Sequence, residues 1–179
     1  MSFENRASDA KENADRYIRS LLDILAGRDP LVTMPELPRA IEGLVAGLDD
    51  AALRRPEKPG KWSVIQVVQH LADSEIVWGY RARKVLAAPG AAITGYDQDA
   101  WTASLRYGNA NLEIALAQLR AMRAANLALL GSLTPEEWER AGLHNERGLE
   151  SVRHMSRLIA GHDFVHRNQI ARIKHAIGV

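Results

Sequence analysis

From Val152 to Ile177 apolar side chains recur every three or four residues: Val152, Met155 and Ile159, then Ile173 and Ile177. That spacing is the seam of a helix packed against other helices. Between the two apolar ends the same register falls on His162, His166 and Gln169. The chain must therefore bury a helix that carries two imidazoles and an amide where the pattern calls for hydrocarbon. Burying an unpaired polar group costs about 1–3 kcal/mol. A fold that accepts this helix must also supply partners for these three side chains.

Helix signals dominate the rest of the chain. Helices are predicted at 8–26, 36–48, 63–88, 109–131 and 150–177. Ser63 and Gln66 have the spacing of a capping box, with Trp62 and Val67 as its hydrophobic staple. Thr134, Pro135 and Glu137 repeat that pattern, and Thr33 with Glu36 offers a third start. No run of alternating apolar and polar residues is evident, so no sheet is expected. The breaks coincide with "GRDPL", "RRPEKPGK" and "APGAAITGYDQDAW". The last is a long connection, and such loops are often functional. The fold class that follows is all-α: a four-helix bundle over 36–179, with residues 1–35 as an N-terminal helical extension laid against it in one compact unit.

Composition narrows the function. A length of 179 residues suits one domain, and 46% hydrophobic residues exclude a disordered chain. Net charge is +1, with no basic arm or acidic tail, so no nucleic-acid partner is expected. Charges interrupt every apolar run short of a membrane span, and "MSFENRASDAKENADRY" has no signal-peptide core. A cytoplasmic location follows as the expectation. There are no cysteines, which excludes disulfides, thiolate metal sites and cysteine nucleophiles. A phosphate-binding glycine loop, a serine nucleophile elbow and zinc-finger spacing are also missing.

The histidines remain. Residues four apart on a helix lie about 40° apart around it and about 6 Å along it. His162 and His166 can thus converge on one divalent ion. They can equally be core histidines hydrogen-bonded to backbone, side chains or water, and the spacing leaves both readings open. His70 lies at the border of its helix's apolar face, where position alone reads as a satisfied histidine. His144 lies in a loop segment, His154 is off the seam, and His175 is near the C-terminus. None of these three is expected to be a ligand.

Three segments, "KWSVIQVVQHLADSE", "GYDQDAW" and "HDFVHRNQI", stand in this order within residues 36–177. Together they resemble the DinB-like family, including its YfiT-like metal-dependent hydrolases. The resemblance implies an up-and-down four-helix bundle with a long crossover. It also implies a metal held by one histidine of the second bundle helix and two of the last, which fall here on His70, His162 and His166. Some relatives carry histidine where this chain has Glu75 and Gln169. The extension "YIRSLLDILAGRDPL" resembles a subgroup feature.

Three neutral imidazoles leave the ion's two charges uncompensated and leave room for water or substrate. A zinc-type ion in such a site lowers the pKa of bound water to about 7, and would acidify a thiol similarly. Zinc or nickel is expected, and iron and manganese are compatible with imidazole ligands. The resemblance implies a thiol-dependent transferase acting with a low-molecular-weight thiol, or a hydrolase using water. A non-catalytic binding module is the further alternative. Candidate catalytic residues are Asp73, Glu75 and Gln169. Asp73 is one turn from His70 and either orients it or is a surface charge. Glu75 is a base if it faces the metal and otherwise pairs with an arginine. Tyr96, Asp97 and Trp101 are candidates for the pocket rim. The resemblance also implies a homodimer. The apolar face of the N-terminal helix (Tyr17, Ile18, Leu21, Leu22, Leu25) would be buried there, or else on its own bundle.

Overall fold

The structure is a computed structural model that describes residues 14–179. The predicted start of the first helix, residues 8–13, lies outside the described residues. Helix α1 covers Ala14–Leu25. The short α2 (Pro30–Thr33) and one 3-10 turn lead into α3 (Leu37–Val45). After α4 (Asp50–Arg54) come the long α5 (Val64–Ala87), α6 (Gln98–Ser104) and α7 (Leu112–Gly131). Then α8 (Pro135–Trp138) precedes α9 (Val152–Ile177).

The caps explain most of these boundaries. Gln66 Oε1 accepts from the Ser63 amide at 2.8 Å at the start of α5, and the Thr134–Glu137 box forms at α8. Thr33 does not cap. Its hydroxyl bonds back to the Asp29 carbonyl, and Asp29 is the residue that starts the local helix, accepting from the Leu31 amide at 2.8 Å. An aspartate followed by proline is a good start in its own right.

The bundle consists of α3, α5, α7 and α9. Helix α3 packs on α7 and α9, and α5 packs on the same two. So α3 faces α5 across the bundle, and α7 faces α9. The contacts of α5 with α7 advance together: Gln118 meets Asp73, Asn126 meets Glu75, and Asn126 meets Arg83. These two helices are therefore parallel, and parallel neighbours need a connection as long as themselves. Residues 88–111 are that crossover.

Two apolar layers fill the interior. One joins Leu37, Ile41, Val67, Leu71, Leu119 and Ile173, and the other joins Trp78, Val85, Leu130, Val152, Met155 and Ile159. On α5, α7 and α9 the residues between these layers are polar and buried: His70, Glu75, Arg123, Asn126, His162, Asp163 and His166. A polar belt thus crosses the middle of the bundle.

A small sheet, which the sequence does not predict, ties the crossover down. Strand β1 (Ala92–Ile93) pairs in parallel with β2 (Ala141–His144), and β2 pairs antiparallel with β3 (Gly148–Ser151). The strands are too short to show a period. Their polarity is also inverted: Leu143 and Leu149 are 58% and 73% exposed, while His144 and Glu150 are buried.

Helix α1 uses its apolar face within the chain. Tyr17 and Leu21 pack on Leu158 and Val165 of α9, with Ile18 and Leu22 against them, and Leu25 joins the layer of Trp78 and Met155. The close approach requires Gly161, where a Cβ would overlap the Leu21 carbonyl. Because the obstacle is backbone, Gly161→Ala should displace α1 and cost about 1–3 kcal/mol. Urea unfolding, with proteolysis of α1 as a second readout, checks this. A midpoint equal to that of the unaltered protein would show that α1 is not held at this point.

Candidate metal centre

Each histidine of the triad is placed by its helix. His70 is on α5, and His162 and His166 lie one turn apart on α9. The Nε2 atoms of His70 and His166 each lie 3.0 Å from Nε2 of His162, and the three rings present one nitrogen each to a common point. All three side chains are buried. This is the one group of three or more such ligand residues among the described residues.

The protons decide what this cluster can hold. Gln169 Oε1 lies 2.7 Å from His166 Nδ1 and accepts a hydrogen bond from its N–H, which leaves a lone pair on His166 Nε2. His162 Nε2 can carry at most one proton, so it cannot donate to both neighbours at 3.0 Å. A cation in their midst satisfies all three lone pairs. Imidazole nitrogens sharing a tetrahedral ion at about 2.0–2.1 Å would sit about 3.3 Å apart, close to the spacing found. Charge points the same way. Burial pushes the His70 and His162 pKa values well below the ordinary histidine range, reinforced by the neighbouring imidazoles and, for His162, by Arg123. Burial lowers His166 to about 4, against the opposing pull of Gln169. All three are neutral at physiological pH, the form that binds metal.

Trp62 covers the triad on one side, with its ring centroid 5.0 Å from that of His70 and 6.5 Å from that of His166. On the other side Ser74 Oγ lies 3.4 Å from His70 Nε2. Ser74, Tyr96 and His162 line a cleft that opens past Trp78, Arg81 and Gln98. Of the three imidazoles, that of His162 thus borders the cleft directly.

The other predicted residues fall elsewhere. Asp73 accepts from Tyr107 Oη at 2.6 Å, from Gln118 Nε2 at 2.7 Å and from Gln69 Nε2 at 3.1 Å. It is neither a surface charge nor bonded to His70. Glu75 is fully buried, 2.7 Å from Arg123, and also accepts from Asn126 at 3.0 Å. Arg123 grips Asp163 with two bonds of 2.7 and 2.9 Å and donates to the Met34 carbonyl. Gln169 is the partner of His166. Tyr96 lines the cleft, whereas Asp97 caps α6 and Trp101 packs on Tyr96 with centroids 4.6 Å apart. His144 is buried on β2, away from the triad, and its Nδ1 accepts from the Glu146 amide. Sequence reasoning missed Trp78, Arg81 and Arg123. Arg123 lies 48 positions from Glu75 and 40 from Asp163, so no local spacing links them.

The chain is similar to known proteins. The chain is 32% identical over 117 residues to the Oceanobacillus iheyensis protein named "Putative metal-dependent hydrolase OB0782", covering 65% of this chain and 67% of that one. It is 27% identical over 177 residues to "Putative metal-dependent hydrolase YfiT" of Bacillus subtilis, covering 98% and 92%. The solved structure of YfiT, described as having an unusual four-helix bundle topology, superposes with a TM-score of 0.76 over 99% of this chain and 94% of that chain. The described part of the N-terminal extension is thus within the shared fold. The DinB superfamily profile matches residues 35–170, and the chain belongs to that family.

Proposed function

We propose that His70, His162 and His166 hold one divalent metal ion through their Nε2 atoms, and that the protein uses this centre to activate a small thiol for transfer to an electrophile bound in the cleft. The observation that carries the reading is the convergence of three neutral, buried imidazole nitrogens beside an open cleft. When bound, the ion would supply Lewis acidity, which makes a coordinated thiol or water acidic at neutral pH. Gln169 fixes the tautomer of His166, Trp62 keeps water from the buried side, and the Ser74 and Tyr96 hydroxyls stand at the cleft side.

The carboxylates of α5 and α9 favour a thiol. Asp73, Glu75 and Asp163 are all engaged with other side chains, so neither helix offers a free general base. A free thiol ionises at about 8.5 and bulk water at about 15.7, so with no base to help, a thiol asks less of the ion. With no cysteine in the chain, it would be a low-molecular-weight thiol arriving as substrate. The names of the relatives favour a second reading, hydrolysis with water at the same centre.

One assay separates the two. Zinc- or nickel-loaded protein is incubated with monochlorobimane and glutathione, bacillithiol or mycothiol, and separately with p-nitrophenyl acetate without thiol. Thiol-dependent conjugation above the buffer rate, lost in His162→Ala, is the expected result. Conjugation at the buffer rate in both proteins would remove the transferase reading for these thiols, and ester turnover lost in His162→Ala would favour hydrolysis.

A further inference from the structure

We infer that Arg81 anchors a carboxylate of the substrate in the cleft that ends at His162. The inference rests on the reading of that cleft as the substrate site. Arg81 is a half-buried guanidinium. Its Nη2 donates to the Thr94 carbonyl at 2.6 Å, and no carboxylate among the described residues lies within ion-pair distance. The other arginines beside it are occupied. Arg147 makes two bonds to Glu150, at 2.6 and 3.0 Å, and Arg83 donates to Asn126. Glu146 also lines the cleft, but its carboxylate lies over Gly95 and acts on Arg81 only through its charge, with no ion pair formed. Burial, and then the charge of Arg147, pushes the Arg81 pKa down, against the weaker pull of Tyr96, Glu150 and Glu146. An arriving anion would relieve both.

Two more cleft residues wait for partners. Trp78, only 6% exposed, precedes Arg81 by three residues, which puts both on one face of α5. Its indole N–H is buried with no hydrogen-bond partner among the described residues. The Gln98 Oε1 atom is likewise buried and unpartnered. A carboxylate has two oxygens, one for the guanidinium and one for the indole N–H. Gln98 then requires a donor on the ligand. The chemical class that satisfies all three is a small acid with an N–H or O–H group near its carboxylate.

N-acetyl-L-alanine has this chemistry, and N-acetyl-L-alaninamide is its neutral counterpart of nearly the same shape. The chain has four tryptophans, so the indole N–H resonances of the 15N-labelled, zinc-loaded protein form a simple NMR spectrum, with Trp78 assigned through Trp78→Phe. At millimolar concentration the acid should shift the Trp78 resonance and the amide should not. Arg81→Gln should weaken the acid about ten-fold or more without changing the zinc content. Equal titration by acid and amide would overturn the inference, as would no shift with the acid or an unchanged affinity in Arg81→Gln. The acid–amide comparison needs no variant, so it holds even if Arg81→Gln fails to fold. Repeating it without zinc separates the readings. An Arg81-dependent response there supports the anchor whether or not the triad binds metal, and zinc content measured alone judges the triad.

Discussion

Arg123→Met is expected to destabilise the fold by about 3–5 kcal/mol, because it strands two buried carboxylates. Arg123 is almost inaccessible, and it is the shared cation of Glu75 on α5 and Asp163 on α9, while a third bond reaches the Met34 carbonyl before α3. Four parts of the bundle therefore meet at one side chain. Methionine nearly fills the volume but leaves Glu75 with only Asn126 and Asp163 without its ion-pair partner. The deficit should depend on pH. Burial already raises the Asp163 carboxyl to about 6, with Arg123 pulling the other way. Removing Arg123 raises it further. A carboxyl with a raised folded-state pKa favours the folded state at low pH and loses that contribution as pH rises through this value. The gap between variant and unaltered protein should thus narrow as pH falls from about 7 to about 5. Urea unfolding at several pH values measures it, and a gap below about 1 kcal/mol throughout would show that the belt does not depend on this cation.

His166→Ala should remove most of the metal, lowering affinity by more than about 100-fold. Loss of a residue that merely orients a ligand costs about 10–100-fold, and loss of the ligand itself costs more. Gln169→Ala supplies the milder comparison. It removes the acceptor 2.7 Å from His166 Nδ1 and leaves the three Nε2 atoms in place, so a loss within that 10–100-fold range is expected. Competition with a chromophoric chelator reads both. Undiminished affinity in His166→Ala would mean that the metal is held elsewhere.

The sequence shows the helices because a helical period extends over many residues. The seam of α9 can be followed from Val152 to Ile177, and its interruption identifies His162 and His166. His70 has no such marker. It sits beside apolar neighbours on a helix buried on several sides, and its ligand role comes from the family resemblance. The parallel course of α5 and α7 leaves only the length of the 88–111 crossover as a trace. The sheet leaves less, since Leu143 and Leu149 face outward and its strands span two to four residues. The polar belt depends on side chains that meet across three helices, so its pairs have no common spacing. The carboxylates that the sequence offers as catalytic candidates, Asp73 and Glu75, are instead held by Tyr107, Gln118 and Arg123.

X-ray absorption at the zinc edge, with zinc content measured on the same sample, tests the three-histidine centre most directly. The protein should be purified without an affinity tag and loaded with zinc. One zinc per chain is predicted, with scattering from three imidazoles, falling to two in whatever zinc His70→Ala retains. A zinc with fewer than three imidazoles in the unaltered protein, or an identical spectrum at full occupancy in His70→Ala, would contradict it.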